Sequence, residues 1–366
     1  GLDMAQETFT IEGLPTPRLE AWKYTNLRAL GQIEFLTTPD SPSLDQAPSL
    51  VSNSAARLVF VNGHLNEALS EVAGGMIEIT KDGFVLRVAA GVEVDQPVEV
   101  VFVGGISDAA VTYAPRMRID LEDNSRATVL EYHIGLGDGV YFSNGETKIN
   151  VGQGAKLNHI KVQAEGSEAY HLSNVHAQVA RDGGYEACTL SIGAKLSRND
   201  INVRLEGEGA SCGLNGPTLI RGSQHCDNTT IVDHLVPHTA CSEVFKGVLD
   251  DKARSVFQGK IVVHKDAQKT DGRQHCKTLL LSDDAEVNAK PELEIYADDV
   301  KCAHGATVGE IDETALFYLR SRGVPEKRAR SLLIESFLGE ALENIEADDI
   351  SVVLADMISS WLSEEN

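Results

Sequence analysis

The chain contains no GxxxxGK[ST], no HExxH and no GxGxxG placed after a strand-like run. Those absences remove P-loop nucleotide binding, zincin chemistry and a dinucleotide-binding turn. Its six cysteines, at 188, 212, 226, 241, 276 and 302, include no CxxC pair, which argues against a zinc knuckle or a thioredoxin-type dithiol. Positive charge is scarce: 32 Lys and Arg stand against 55 Asp and Glu, a net charge of −23. A field of that sign repels phosphate backbones, so nucleic acid is not an expected partner. No apolar run is long enough to cross a bilayer, and Gly1-Leu2-Asp3-Met4-Ala5 lacks a basic-then-apolar leader. A cytoplasmic protein with no membrane partner is expected.

What is present is globular in composition, with 42% hydrophobic and 24% charged residues over 366 positions. A cytosolic chain of this size needs no disulfides, so each thiol is either a buried apolar residue or a ligand, and burial is the expectation for any single one. Three regions follow from the pattern. Residues 1–55 read as a helical or irregular segment: Pro15 and Pro17 interrupt it, Leu19-Glu20-Ala21-Trp22-Lys23-Tyr24 suits a short amphipathic turn, and Pro39, Pro42 and Pro48 close it.

Residues 56–309 change to period-2 alternation, as in Val98-Glu99-Val100-Val101-Phe102-Val103 and Lys156-Leu157-Asn158-His159-Ile160-Lys161-Val162. Between the runs come small polar turns with a Gly or Asp shortly before an Ala. They include Asn124-Ser125-Arg126-Ala127, Gly152-Gln153-Gly154-Ala155, Gly207-Glu208-Gly209-Ala210, Asp250-Asp251-Lys252-Ala253 and Asp283-Asp284-Ala285. The repeat wanders between roughly 25 and 32 residues, within the range of solenoids. A β-solenoid accounts for both length and repetition, because each coil buries its inward side chains only by stacking on its neighbours. Parallel coils should wind right-handed. A β-sandwich with chance alternation is the alternative.

Residues 310–366 are helical. Asp312 can cap a helix with Leu316 and Leu319 on one face, Gly323 stops it, and Pro325 suits the first turn of the next. A third helix, Ile350 to Leu362, puts Ile350, Leu354, Met357, Ile358 and Trp361 on one stripe. Three such helices cannot bury all their apolar faces on one another, so some face docks on the solenoid end or on a partner.

The chemistry-bearing residues are few. Cys302 and His304 lie two apart at the seam between strands and helices, so in an extended strand both face the same way. A soft metal or a sulfur species suits that pair. Gln224-His225-Cys226 and Gln274-His275-Cys276 are identical tripeptides 50 residues apart, which coils of about 25 residues would place two rungs apart on equivalent strands. His275, Cys276, Cys302 and His304 together could form a thiolate and imidazole patch of the kind that holds iron–sulfur species. His133, His159, His171, His176 and His264 read as scattered, satisfied polar residues. No spacing marks an acid/base pair.

One segment carries a resemblance. Lys290-Pro291-Glu292-Leu293-Glu294-Ile295-Tyr296-Ala297-Asp298-Asp299-Val300-Lys301-Cys302-Ala303-His304-Gly305-Ala306-Thr307-Val308-Gly309, followed by Leu316-Phe317-Tyr318-Leu319-Arg320-Ser321-Arg322-Gly323, resembles the SufB/SufD family of iron–sulfur cluster assembly proteins. Gly13-Leu14-Pro15-Thr16-Pro17-Arg18 and Glu20-Ala21-Trp22-Lys23-Tyr24-Thr25 look like the start of the SufD branch, and Gly305 stands where the SufB branch carries a glutamate.

The resemblance implies a mainly β fold, a right-handed parallel β-helix flanked by N- and C-terminal helical segments. It implies a non-catalytic scaffold subunit of a SufB–SufC–SufD complex, with ATP hydrolysis in the SufC partner and iron or an iron–sulfur cluster held transiently and shared with SufB. A homodimer is expected as an option when the paralogue is absent. His304 falls on the histidine implicated in cluster formation or iron delivery, with Cys302 beside it. Cys276, 28 residues before His304, falls on the position of the essential SufB cysteine. His304, Cys276 and Cys302 are therefore the expected interface site, His304 and Cys276 the expected metal ligands, and Leu316, Tyr318, Leu319, Arg320 and Arg322 the expected ATPase dock. The rival readings are a β-helix carbohydrate-active enzyme, which calls for a secretion signal and clustered Asp, Arg or Lys on one sheet, and a purely structural homodimeric solenoid.

Overall fold

The computed structural model describes residues 8–10, 13–38 and 42–364; Pro39, counted above with the prolines that close the N-terminal segment, lies outside them. Its strands form a parallel β-solenoid of about eight turns with a C-terminal helical segment. Two long sheets face each other across one lumen. The first runs from Ala56–Val61 through Val98–Gly104, Arg126–Gly135, Lys156–Ala164, Gly184–Ser191, Ser211–Ile220, Ala240–Leu249 and Asp271–Leu280 to Lys301–Gly309. The strands between them in sequence, from Tyr141–Val151 to Glu286–Ile295, pair into the second sheet. The alternation explains the arrangement: Ala127, Val129, Leu157, Tyr185, Leu214, Ile201, Val203 and Val232 point into one shared core, and their sequence neighbours point out.

Arg126, Lys156, Gly184, Ser211, Ala240, Asp271 and Lys301 pair in succession at one height, so a coil takes 27 to 31 residues. One corner of every coil is built alike. Asn124, Gly154, Asp182, Gly209, His238 and Lys269 all have positive φ, between 54° and 78°. Each donates its backbone N–H to the turn of the next coil, from Asn124 to Gln153 through Lys269 to Asp299. A small buried residue follows each: Ser125, Ala155, Gly183, Ala210, Thr239 and Thr270. The turns at Asp251 and Ala253 and at Asp283 to Ala285 belong to the opposite corner. The same turn chemistry thus occurs twice per coil, and reading both corners as one series makes the repeat wander.

The coil length also moves the two identical tripeptides. Fifty residues is not a whole number of coils, so Cys226 lies on His225–His234 in the second sheet and Cys276 on Asp271–Leu280 in the first. They are not equivalent positions.

The tail forms α1 (Glu313–Ser321), α2 (Glu326–Gly339) and α3 (Asp348–Ser363). Asp312 caps α1 by accepting from the Thr314 and Ala315 N–H groups at 2.9 and 3.1 Å. Gly323, at φ +89°, turns the chain out of it. Ile334, Leu338, Ile350, Leu354, Ile358 and Trp361 pack on Leu130, Ile160, Leu190, Leu219 and Val248, outward residues of the first sheet. The tail therefore lies along the flank of the solenoid, not on its end. Outward apolar residues on alternate strands supply that seat, and the sheet face is far larger than the end. The N-terminal segment covers part of the second sheet, where Arg118, Lys148, His176 and Arg204 stay exposed. The Arg198 guanidinium lies 3.6 Å from the Trp22 ring centroid and pairs with Asp200 and Asp227, while Leu27, Leu30 and Phe35 pack on Phe142, Tyr170 and Leu172.

Candidate functional site

The last coil leaves one lumen mouth open. Among the described residues, Lys301–Gly309 ends the first sheet and pairs only with Asp271–Leu280. The register sets Cys302 on Gly272, His304 on Gln274 and Ala306 on Cys276. Gly272, Gln274 and Cys276 are buried inward positions, so Cys302 and His304 also take the inner face. With no coil above them, Cys302 is only half-buried and His304 is exposed.

Beneath His304 lies a buried polar column. Gln274 Nε2 donates to Glu243 Oε2 at 3.0 Å, and Thr230 Oγ1 donates to Glu243 Oε1 at 2.6 Å. Gln274 Oε1 is buried without a partner. Burial pushes the Glu243 carboxyl up to about 7, against the lowering effect of Thr230 and Gln274. Gly259 on the facing sheet makes room for this column, since a Cβ there would strike the Gln274 amide. Glu243 and Thr230 carry no local sequence signal. They become legible only when the coil length is known and inward positions are followed from strand to strand.

The expected four-group patch is divided by the strand. Cys302 and His304 are together at the mouth, and His275 points to the opposite, exposed face. Cys276 is 5% exposed, packed in the main core in register with Phe245, and its thiol is pushed up to about 12 by burial. Its sulfur therefore does not reach the mouth surface. The open end presents one imidazole and one thiol. Among the described residues, no three His, Cys, Asp or Glu side chains come close enough to hold a metal ion.

Three of the histidines read as scattered are in fact gathered inside the middle coils. Glu131 accepts from His133 Nε2 at 2.8 Å and contacts His159 through its other oxygen, and His159 Nδ1 meets the Tyr185 hydroxyl at 2.9 Å. Glu165 pairs with His171 at 2.8 Å, and Lys161 Nζ reaches both His171 Nε2 and Asn199 Oδ1 at 2.8 Å. Burial alone raises both carboxyls. His159, His133 and Lys161 outweigh it at Glu131, which sits well below the usual range, and His171 outweighs it at Glu165, which falls to about 2. Burial and Lys161 push His171 down to about 4. His176 is exposed, and His264 pairs with Asp233 at 3.1 Å.

The expected dock is also sorted by its helix. Leu316 is buried and Leu319 half-buried, so both hold α1 down. Tyr318, Arg320 and Arg322 are exposed, with the Arg322 guanidinium 4.6 Å from the Tyr318 ring centroid. Phe317, outside the expected set, is 74% exposed, the most of any large apolar residue among the described ones. Among those residues, no helix is long and apolar enough to cross a membrane.

Residues 104–337 match the family model described as SUF system FeS cluster assembly, SufBD core domain. The chain is 33% identical over 360 residues to the iron–sulfur cluster assembly protein SufD of Escherichia coli, covering 90% of this chain and 85% of that protein. It is 29% identical to an iron–sulfur cluster assembly SufBD family protein of Synechocystis, covering 91% and 84% of the two chains. Against a SufBD family protein of Mycobacterium tuberculosis the identity is 26%, with 94% and 88% covered.

Proposed function

We propose that this chain, which belongs to the SufBD family of iron–sulfur cluster assembly proteins, is a SufD-type scaffold subunit whose open lumen mouth is completed by a SufB paralogue. One observation carries the reading: His304 and Cys302 occupy inward positions on a terminal coil that has no neighbour to cover them. The unpaired edges of Lys301–Gly309 and Glu286–Ile295 offer main-chain hydrogen bonds to a partner strand. A partner seated there encloses the half-site and supplies its missing ligands. The nascent cluster, or its iron, is cargo at that junction rather than a resident group.

His304 is the ligand of first importance, as the one exposed inward donor. Gln274 pairs with it in register, its Oε1 left unpaired, and Glu243 anchors Gln274. Cys276 packs the core next to this column. The exposed face of α1, with Phe317, Tyr318, Arg320 and Arg322, is the seat of a SufC ATPase, which supplies the nucleotide chemistry for which this chain has no P-loop. The complex is cytoplasmic and this subunit is not itself an enzyme.

Anaerobic reconstitution of the complex with iron and sulfide tests the reading. His304→Ala should abolish cluster formation while leaving the complex assembled, and Cys276→Ser should leave cluster formation intact. Phe317→Asp should remove the ATPase from the complex without releasing the paralogue. Unchanged cluster formation in His304→Ala overturns the assignment.

A further inference from the structure

The open part of the second sheet carries a column of basic side chains. Lys148 pairs in register with Arg118 on one side and with His176 on the other. Their sequence neighbours Ile119, Ile149 and Ala177 point into the lumen, so these three point outward, and all are exposed. Val85 bounds the column at one end and, beyond Asn202, Ile231 bounds it at the other, both half-buried. The described N-terminal residues stop short of it. Their seats, Phe142, Tyr170, Leu172, Arg198 and Asp227, all lie in the first half of their strands.

Charge at this place runs against the rest of the chain. Arg87, Arg116, Arg118, Lys148 and Arg204 stand with Asp120, Glu146 and Glu206, five cations to three carboxylates, in a protein of net charge −23. Asp120 is held down on the sheet, with Arg118 Nε at 2.9 Å, Asn150 Nδ2 at 2.8 Å and Arg87 Nε at 3.8 Å. Glu146 is shared at the limit of ion pairing, 4.0 Å from Arg116 and 3.8 Å from Lys148. Exposed pairs of that kind contribute little, so Lys148, itself 68% exposed, can exchange Glu146 for another carboxylate. At physiological salt a charge is screened over ~8 Å. An anion on the column therefore senses these side chains and not the net charge of the whole chain.

We propose that this column docks an acidic helix of a partner protein, laid across the strands, with Asp or Glu at positions i, i+3 and i+7 facing Arg118, Lys148 and His176 in turn. The spacing of the rungs selects a helix. Adjacent strands lie ~4.8 Å apart, so the second and third basic groups stand ~4.8 and ~9.6 Å from the first. Carboxylates at i+3 and i+7 of a helix rise ~4.5 and ~10.5 Å from the one at i. An extended segment presents one face every ~6.7 Å and is out of step by the third group. From Val85 to Ile231 the column runs ~24 Å, the length of about 16 helical residues, and those two side chains meet apolar residues near the helix ends. Gln178 and Arg204, in register on the next column, add donors along one edge. The face lies on the flank opposite the helical tail, and three strands separate the His176 strand from Glu286–Ile295 at the last coil. A partner seated there leaves the mouth and α1 free, so this is a separate interaction from those proposed above.

Fluorescence anisotropy of the purified chain with a labelled, covalently stapled helical peptide bearing Glu at i, i+3 and i+7 tests the docking. The peptide should bind, and more weakly as salt rises. The double variant Arg118→Glu/Lys148→Glu should raise Kd by about tenfold or more. Lys195→Glu/Lys252→Glu, exposed positions off the column with the same change in charge, should leave Kd within about twofold. A stapled helix of the same composition with its Glu residues spread around the circumference should bind about tenfold more weakly. Should the charge-reversed double variant not fold, Lys148→Ala alone should raise Kd about threefold. Absence of binding, equal binding by the scattered helix or by a proline-broken peptide of the same composition, or an equal loss in the two double variants overturns the proposal. So does a concentration-dependent dimer in sedimentation that Arg118→Glu/Lys148→Glu disperses, which gives the face to a second copy of this chain. The assay needs neither iron nor paralogue, so its failure leaves the His304-dependent reconstitution separately testable.

Discussion

The solenoid lumen is polar in its middle coils and again at its last one, and the two places are finished differently. In the middle, Glu131, His133, His159, Lys161, Glu165 and His171 are buried on every side and spend most of their hydrogen bonds on one another. At the last coil the same kind of inward column, Glu243, Gln274 and His304, runs out into solvent with Gln274 Oε1 unpaired. A stacked fold supplies each inward group with neighbours from both adjacent coils. Where one neighbour is missing, groups that would be structural become available for binding. The difference between a core and a site here is one coil.

Mutations should register that difference as stability. Glu131→Ala strands two buried histidines and Lys161, and should lower unfolding free energy by about 3–5 kcal/mol in urea titrations; a loss below ~1 kcal/mol would erase the contrast. The carboxyls should also respond to pH with opposite sign. Glu243 has a folded value of about 7, raised from 4.5, so its effect is a loss of stability as pH rises from about 4.5 to 7. Glu165, at about 2, contributes stability above about 4.5 that is lost as pH falls toward 2. Glu243→Gln should therefore gain about 2–3 kcal/mol over the wild type at pH 8 and little at pH 4. Rotation of the Gln274 amide satisfies the new side chain. Cys276→Ser puts a hydroxyl among apolar groups with Thr278 as its one partner, and should cost about 1–2 kcal/mol. His304→Ala should change stability by less than ~0.5 kcal/mol, the smallest effect and the one that marks the residue as free for function.

Strand alternation and the small-residue turns make the coil visible in the chain, and the Cys302–His304 spacing by itself puts both groups on one face. The coil length is less visible, because Asp251 and Asn124 mark different corners with the same turn chemistry. An assumed 25 residues per coil mispairs Cys226 with Cys276, and it hides that Glu131 stacks on Lys161 and Glu243 on Gln274. Contacts between coils depend on that one number, so an error in it scrambles every site built across rungs while leaving the fold class intact. Phe317 is a different case: helical spacing places it beside Leu316, but which face α1 turns to solvent is decided by its packing on the rest of the tail.

The helical tail has a mechanical consequence. A free stack of coils is held only by contacts between neighbours and melts piecemeal from its ends. Here α2 and α3 run back from the last coil and touch Val248, Leu219, Leu190, Ile160 and Leu130, one strand after another. They act as a splint, tying five coils to a single rigid rod so that those coils yield together. The last strand, Lys301–Gly309, contributes none of the buried residues under that rod. The molecule is stiff along the splinted length and compliant at its tip, where His304 is carried.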